Sequence, residues 1–327
     1  MRVIFFGNGF EYSLSFMQAL AEMSCVELVG IVSPVIGKQR RDWRRVASTL
    51  ALVVPRMLLK NIPKGDAQFP ILATAVKNKT GARLFWPDSV NDVKLMDRLI
   101  DLEPELVVMA GFNQILKPCV LDAMPSVINI HPSLLPDFRG PHPEFWTIAE
   151  GATESGVTLH LVDEGVDTGA IVAQESFEVE PWLTGGQLQS RAMAKGASLL
   201  ERTLEEMDVS SLVGRAQSSE GTYFRKVQHE DLVVPFDASA RVAFDRARAA
   251  SPWTPLVAYV SLAWWSERRA GTSMVSDWPA PGLLRLEVSD ALCFEDHSMG
   301  PPGTVRRVGK GVAISCDPGV VLFKTVG

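Results

Sequence analysis

Cysteine is scarce in this 327-residue chain, and its four copies stand far apart, at Cys25, Cys119, Cys293 and Cys316. No two of them have the C-x-x-C spacing, and no Cys/His group has the spacing of a metal site. The sequence therefore predicts neither a disulfide framework nor a zinc site. We expect free thiols in a reducing compartment and no metal.

The chain also lacks an excess of basic residues and any apolar run long enough to cross a bilayer. Its formal net charge is −6 and its pI is near 5.5, which disfavours generalised binding to nucleic-acid phosphates. The apolar stretch "TLALVVPRMLL" is broken by Pro55 and Arg56, and the N-terminus has no signal-peptide pattern. These absences predict a cytoplasmic protein without stable membrane insertion.

A complete dinucleotide fingerprint is missing as well. Gly7 and Gly9 make a G-x-G, but no third glycine follows in register, so a tight strand-to-helix turn is the favoured interpretation. The surrounding pattern of buried strand, turn, helix and strand is typical of an α/β protein. We predict an open, mostly parallel Rossmann-like sheet.

The chain changes character towards its C-terminus. Helical spacing ends near residue 207, a Ser/Gly/Gln-rich stretch covers 208–230, and short strand-like runs separated by Gly and Pro fill 231–327. We predict a catalytic domain over 1–207, a linker over 208–230 and a smaller, mostly β, barrel-like domain over 231–327.

A basic stretch, residues 38–45, follows the second predicted strand in "GKQRRDWRR". A solvated surface segment is one interpretation of it. A contact for an anionic substrate and a membrane-surface segment are the others. The sequence leaves these three open.

Asn129 and His131 stand two residues apart in "VINIHPSLLPDFRG", at the end of an apolar strand. Side chains at i and i+2 of a strand point to the same side, and open α/β sheets bind their ligands at the carboxyl ends of strands. An amide donor beside an imidazole suits acyl transfer, since one group steadies an oxyanion while the other handles a proton. Taken alone, the pair is weak evidence for a site, because a histidine at a strand end is more often simply satisfied by structural hydrogen bonds.

An acidic, Gly-containing turn, "VDEGVDTGAIVAQ", lies between two later predicted strands. Its spacing does not match a calcium-binding loop, and an ordinary turn is one interpretation. One of its carboxylates, Asp163, Glu164 or Asp167, is also placed to orient an imidazole. His160, in the preceding alternating strand, and His229 are predicted to have structural roles only.

Together, "NIHPSLLPDFRGPHPEFW" and "ESGVTLHLVDEGVDTGAIVAQ" strongly resemble the folate-dependent formyltransferase family, whose members include methionyl-tRNA formyltransferase and the sugar N-formyltransferases. The N-x-H-x-S-L-L-P and D-x-G-x-D-T-G elements are complete and in the family's order, 36 positions apart from His131 to Asp167. The resemblance covers about residues 1–207 and continues more loosely beyond.

The resemblance implies a catalytic trio and a one-carbon donor, N10-formyltetrahydrofolate. Asn129 and a protonated His131 would stabilise the oxyanion formed when an amine attacks the formyl carbon, and Asp167 would orient His131. By the same resemblance, the donor's pterin lies between a strand-end segment and the acidic turn. The implied cofactor-binding residues are Phe112, Gln114, Ile115, Leu116, Val162, Asp163, Gly165 and Asp167.

The acceptor is the open question. Where methionyl-tRNA formyltransferases usually have G-T-P-E-F and R-G-A-A-P, this chain has "GNGFEY" and "RGPHPEFW", and residues 231–327 hold ten Lys/Arg and ten Asp/Glu. We therefore favour a small-molecule amine, such as a nucleotide-linked amino sugar, with Ser133, Arg139, His142 and Trp146 as predicted acceptor contacts.

Several alternatives to this function remain. One is methionyl-tRNA formyltransferase, the case in which nucleic acid is a partner. Others are hydrolysis of the formyl donor and a non-catalytic folate- or nucleic-acid-binding protein. The oligomeric state stays open, with a homodimer among the options.

Overall fold

The computed structural model describes residues 1–8, 11–34, 68–209, 212–218, 220–261, 283–295, 297, 301–308 and 311–325. The basic stretch 38–45 lies outside them. Contacts divide the chain into two compact units. The first comprises 1–139, 156–176 and 190–222, and the second comprises 140–155, 177–189 and 223–327.

The first unit is built on a seven-stranded sheet. Its strands are β1 (Arg2–Gly7), β2 (Glu27–Val32), β3 (Arg83–Phe85), β4 (Leu106–Ala110), β5 (Val127–His131), β6 (Glu154–Leu161) and β7 (Ile171–Glu178). Their order is β3-β2-β1-β4-β5-β6-β7, with β1 to β5 parallel and β6 antiparallel to β5. The predicted open, mostly parallel sheet is confirmed.

Both faces of this sheet are covered, which explains its continuous apolar strands. Alternate residues of β1 enter two separate clusters: Val3 and Phe5 belong to one, and Ile4 and Phe6 to the other. The same alternation holds in β5, where Ile128 packs into the first cluster. Strand periodicity alone therefore decides which face each side chain meets.

Helices alternate with strands along the chain. They are α1 (Glu11–Leu20), α2 (Gln68–Thr80), α3 (Val93–Ile100), α4 (Pro118–Ala123), α5 (Pro143–Ala149), α6 (Gly185–Glu206) and α7 (Ala240–Ala250), with a 3-10 turn over His229–Leu232. α3 begins where the Asp92 side chain accepts a hydrogen bond from the Lys94 amide at 2.9 Å, a standard N-cap.

The second unit contains a five-stranded antiparallel sheet. Its strands are β8 (Leu256–Ser261), β9 (Leu283–Glu295), β10 (Val305–Val308), β11 (Gly311–Ser315) and β12 (Val320–Thr325), in the order β10-β11-β12-β9-β8. Ala243 and Phe244 of α7 pack into one cluster with Val288 and Phe323 of the sheet. The predicted mostly β character of the C-terminal part of the chain is confirmed as a small antiparallel sheet.

The boundaries predicted at 207 and 230 stay a prediction. Within the predicted linker, Arg215 forms an isolated bridge with Ile171, the first residue of β7. Residues up to Thr222 have their contacts in the first unit. No helix among the described residues is long and apolar enough to cross a membrane.

Candidate active site

Asn129 and His131 lie on one face of β5, at its carboxyl end. Val127, Asn129 and His131 alternate with Ile128 and Ile130, whose side chains enter the apolar cluster on the other face. Asn129 is 8% exposed and His131 is 5% exposed. Two polar side chains this deeply buried need hydrogen-bond partners, and the neighbouring turns supply them.

The turn between β6 and β7 brings Asp167 to this face. It is shaped by Asp163, whose Oδ1 accepts from the Gly165 amide at 3.0 Å and from the Thr168 hydroxyl at 2.7 Å. Asp167 itself has a left-handed backbone, with φ of 54°. Its Oδ2 lies 3.7 Å from His131 Nδ1, and its Oδ1 accepts from Asn129 Nδ2 at 3.4 Å. The three predicted catalytic side chains therefore converge.

The hydrogen bonds around His131 indicate where its protons sit. Nε2 lies 2.9 Å from the Phe138 carbonyl oxygen. Because a carbonyl only accepts, Nε2 carries the hydrogen, and Nδ1 is the nitrogen that faces the Asp167 carboxylate. The 3.7 Å gap there is longer than a direct hydrogen bond, as catalytic contacts without substrate often are. Nδ1 is thus the position where a proton can be gained or lost.

His160 belongs to the same cluster, although the sequence analysis assigned it to the fold alone. Its Nε2 lies 3.1 Å from Asn129 Nδ2 and 3.5 Å from Asp167 Oδ1. The signal that could have revealed this is strand register: Asn129 and His160 are direct Cα partners in the antiparallel β5–β6 pair. Side chains of such partners share a face and lie close together.

The predicted folate segment follows β4. Phe112 packs against Phe6 with ring centroids 5.4 Å apart and the ring planes tilted by 39°. Leu116 is buried, and Ile115 is 70% exposed. The Gln114 side chain accepts from the Val90 amide at 2.8 Å and donates to the Asp88 carbonyl at 3.0 Å. Gln114 therefore braces the segment against the preceding loop.

The acidic turn lies beside this segment. Phe112 and Val162 both pack against the cluster that contains Leu116. Gly165 is exposed at the tip of the turn, where a Cβ would collide with the Thr168 hydroxyl. The two segments that the resemblance assigns to the donor thus meet at one apolar cluster.

Two predicted acceptor contacts, Ser133 and Arg139, lie in the first unit. Ser133 is fully buried, and its hydroxyl donates to the Asp137 carbonyl at 2.8 Å. Arg139 Nη2 donates to Gln217 Oε1 at 2.9 Å. Both side chains are engaged in holding the loop after β5, and contact with an acceptor stays a prediction for them.

The other two, His142 and Trp146, lie in the second unit. Trp146 donates from Nε1 to the Arg225 carbonyl at 2.9 Å and stacks on Phe224 at 4.9 Å. The His142 side chain is 45% exposed, and its Nδ1 lies 3.6 Å from Glu144 Oε1. His142 is the more accessible of this pair.

Gln217 is a site residue that the sequence analysis missed. Its Nε2 donates to the backbone carbonyl of Asp167 at 2.9 Å and to that of Gly169 at 2.7 Å. No local signal marks it, because it stands in a polar stretch that is typical of a linker.

Among the described residues, no cluster of three or more His, Cys, Asp or Glu could hold a metal ion.

Two relatives of known function are similar to this chain along most of its length. The methionyl-tRNA formyltransferase of Acetivibrio thermocellus is 30% identical over 271 residues, covering 81% of this chain and 80% of that protein. That of Synechococcus sp. (strain JA-3-3Ab) is 33% identical over 257 residues, covering 77% and 72%.

A solved structure shares the fold. The N-formyltransferase from Helicobacter canadensis, in complex with folinic acid and dTDP-3-aminofucose, aligns with a TM-score of 0.61 at 13% identity, covering 99% of this chain and 98% of that one. The profile of the family described as Formyl transferase matches residues 1–204. The chain therefore belongs to the formyl transferase family.

Proposed function

We propose that this enzyme moves a formyl group from N10-formyltetrahydrofolate to a primary amine of a small molecule. The observation that carries the proposal is the convergence of three side chains at the end of β5. Asp167 lies 3.4 Å from the Asn129 amide nitrogen and 3.7 Å from the His131 ring. A donor, a proton carrier and an orienting carboxylate are what transfer to an amine requires.

Each member of the trio has a distinct role in this proposal. The donor supplies an activated formyl group when bound. The Asn129 N–H that donates to Asp167 Oδ1 at 3.4 Å, the longer of its two contacts, turns to the formyl oxygen as negative charge develops there. His131 exchanges a proton at Nδ1, and Asp167 keeps the ring oriented and balances the charge of its protonated form. Burial of Asn129 and His131 strengthens these interactions by excluding water.

The residues after β4 and β6 fit a flat, partly apolar donor. Phe112, Leu116 and Val162 share one apolar cluster, while Ile115 and Val166 leave 70% and 40% of their surfaces exposed. Exposed apolar side chains beside buried ones are typical of a site for a ring system. The turn of Asp163 and Gly165 supplies backbone polar groups at the same place.

Charge supports a small acceptor. The whole chain carries −6, and residues 231–327 hold equal numbers of basic and acidic residues, ten of each. An enzyme that binds the phosphate backbone of a tRNA gains most of its affinity from positively charged side chains. A small amine needs no such field.

Methionyl-tRNA formyltransferase is the second candidate. Two relatives with that name are 30% and 33% identical over 80% and 72% of their lengths. Their alignments are longer than the 204 residues of the family match, so they extend into the C-terminal part of the chain. This similarity favours the tRNA acceptor independently of charge.

A panel of amines separates the candidates. The protein is incubated with N10-formyltetrahydrofolate and either dTDP-linked amino sugars or initiator methionyl-tRNA, and release of tetrahydrofolate is followed optically. We expect turnover with a small amine and none with the tRNA. Turnover with the tRNA, falling steeply as salt rises, would instead establish the second candidate.

A matched pair of variants tests the chemistry itself. Asn129→Ala removes the proposed oxyanion donor, whereas Asn78→Ala changes an exposed residue of α2. If wild type and Asn129→Ala are equally inert with every amine, the protein is a folate-binding protein or a donor hydrolase. Binding of folinic acid and amine-independent loss of the formyl group distinguish those two.

A further inference from the structure

Gln217 joins the Asp167 turn to the loop that follows β5. Its Nε2 donates to two carbonyls of the turn, those of Asp167 at 2.9 Å and Gly169 at 2.7 Å. Its Oε1 accepts from Arg139 Nε at 3.2 Å and Nη2 at 2.9 Å. One half-buried amide thus uses both ends, and all four residues lie in the first unit.

The Asp167 turn needs such an anchor. A non-glycine residue with φ of 54° occupies a sparsely populated backbone region, which persists only where the surroundings enforce it. The direction of the Asp167 side chain follows from that backbone conformation. The two hydrogen bonds from Gln217 restrain the peptide groups of this residue and of Gly169, where a Cβ would collide with the Leu161 carbonyl.

The same segment of chain also holds the partner of His131. The Thr222 hydroxyl accepts from the Phe138 amide at 2.8 Å, and the Thr222 carbonyl accepts from the Arg139 amide at 2.9 Å. Phe138, again left-handed with φ of 57°, accepts the hydrogen bond from His131 Nε2. Gln217 and Thr222 therefore restrain both strained positions that set the His131–Asp167 geometry.

We propose that Gln217 is a positioning residue for formyl transfer. It holds Asp167 at the distance and angle from which the carboxylate orients His131, without touching the reacting atoms. Its effect on rate rests on the proposed function, whereas its effect on the His131–Asp167 pair does not. The expected consequence of losing it is a lower kcat with little change in donor binding.

Two substitutions separate positioning from packing. Gln217→Ala removes the whole amide. Gln217→Glu keeps the shape and the contact with Arg139 but has no N–H to donate, and its charge repels the two carbonyls. We expect kcat to fall about 10- to 100-fold in both, with the KM for N10-formyltetrahydrofolate nearly unchanged. Glu220→Ala, an exposed change in the same segment, should leave kcat unaltered.

A double-mutant cycle measures the coupling in kcat between Gln217 and Asp167, which a purely structural role for Gln217 would not produce. In an Asp167→Asn background no carboxylate remains to be positioned, so Gln217→Ala should lower kcat little further. Thermal unfolding of every variant is measured alongside. If both Gln217 variants lose kcat only in proportion to lost folded protein, or if the two losses multiply, the positioning role is overturned.

An NMR measurement tests the geometry without any acceptor. The imidazole nitrogen signals of His131 are assigned with His131→Asn and compared in wild type, Gln217→Glu and Glu220→Ala. We expect a shift in Gln217→Glu only. If the signal shifts while wild type formylates no amine, the proposed function fails and the positioning of Asp167 stands. If wild type is active and Gln217→Glu keeps both signal and kcat, the positioning role fails alone.

Discussion

Asn129 and His160 face each other across β5 and β6, with 3.1 Å between Asn129 Nδ2 and His160 Nε2. His160 Nδ1 lies 2.8 Å from the carbonyl oxygen of Leu161, which only accepts, so Nδ1 carries a hydrogen. In the neutral ring Nε2 is then an acceptor, and Asn129 must present its NH₂ group to it. His160 thereby sets which way the Asn129 amide points.

His160→Leu is expected to lower kcat about 5- to 10-fold, the effect of one lost neutral hydrogen bond of about 1 kcal/mol. Without the acceptor, the Asn129 amide can turn its carbonyl towards the reacting oxygen. His160→Gln, whose side-chain oxygen can accept, should recover part of the rate. Steady-state kinetics of the two variants checks this, with the exposed His229→Gln as control. Equal rates for the Leu and Gln variants would contradict the orienting role.

Asn129→Ala is expected to reduce kcat by about 10²- to 10³-fold, the usual cost of removing one oxyanion donor. The KM for N10-formyltetrahydrofolate should change little, because the interaction strengthens only as charge develops. Initial rates over a range of donor concentrations separate the two constants. An unchanged kcat would remove Asn129 from the chemistry, and Asn78→Ala serves as the matched control.

Arg248→Ala is expected to destabilise the second unit by about 3–5 kcal/mol, because it leaves a buried carboxylate poorly paired. Arg248 Nε donates to Asp245 Oδ1 at 2.7 Å, and its Nη1 donates to the Leu183 carbonyl at 2.7 Å. The half-buried Arg241 would then remain as an ion-pair partner of Asp245. Chemical denaturation measures the loss, and Arg246→Ala is the control. A cost below about 1 kcal/mol would contradict this account.

The folding stability of the protein should fall at alkaline pH, because the Cys316 thiol ionises more readily in the unfolded chain than in the folded one. Burial raises the pKa of the Cys316 thiol from 9.0 to about 11. The folded protein favours the neutral thiol. The contribution of Cys316 to folding stability is therefore fully present below the pKa of this thiol in the unfolded chain, and it is lost as pH rises from about 9 to about 11.

Thermal unfolding across that pH range tests the contribution of Cys316. Cys316→Ala should show a smaller alkaline decline than wild type, although its stability at neutral pH is lower because a buried side chain is truncated. Cys293→Ala, at an exposed position, should decline as wild type does. Identical alkaline declines in wild type and Cys316→Ala would contradict the assignment.

The local sequence pattern was sufficient to predict the architecture and part of the candidate site. Alternation along β5 placed Asn129 and His131 on one side, because strand periodicity depends only on the chain itself. The same reasoning predicted the parallel sheet and the small β region. The turn carrying Asp167 was predicted from its motif, and the structure places that carboxylate within 4 Å of both side chains.

Tertiary structure alone decided the partners of those residues. His160 reached Asn129 through the register of two antiparallel strands, 31 residues apart. Gln217 donates a hydrogen bond to the Asp167 carbonyl, although the two residues are 50 positions apart and Gln217 stands in a stretch predicted as a linker. Periodicity records the direction of a side chain from its own backbone, whereas a hydrogen bond between distant segments depends on how the whole chain packs. Local sequence pattern therefore identified which groups could do chemistry, and packing fixed the contacts that hold them in place.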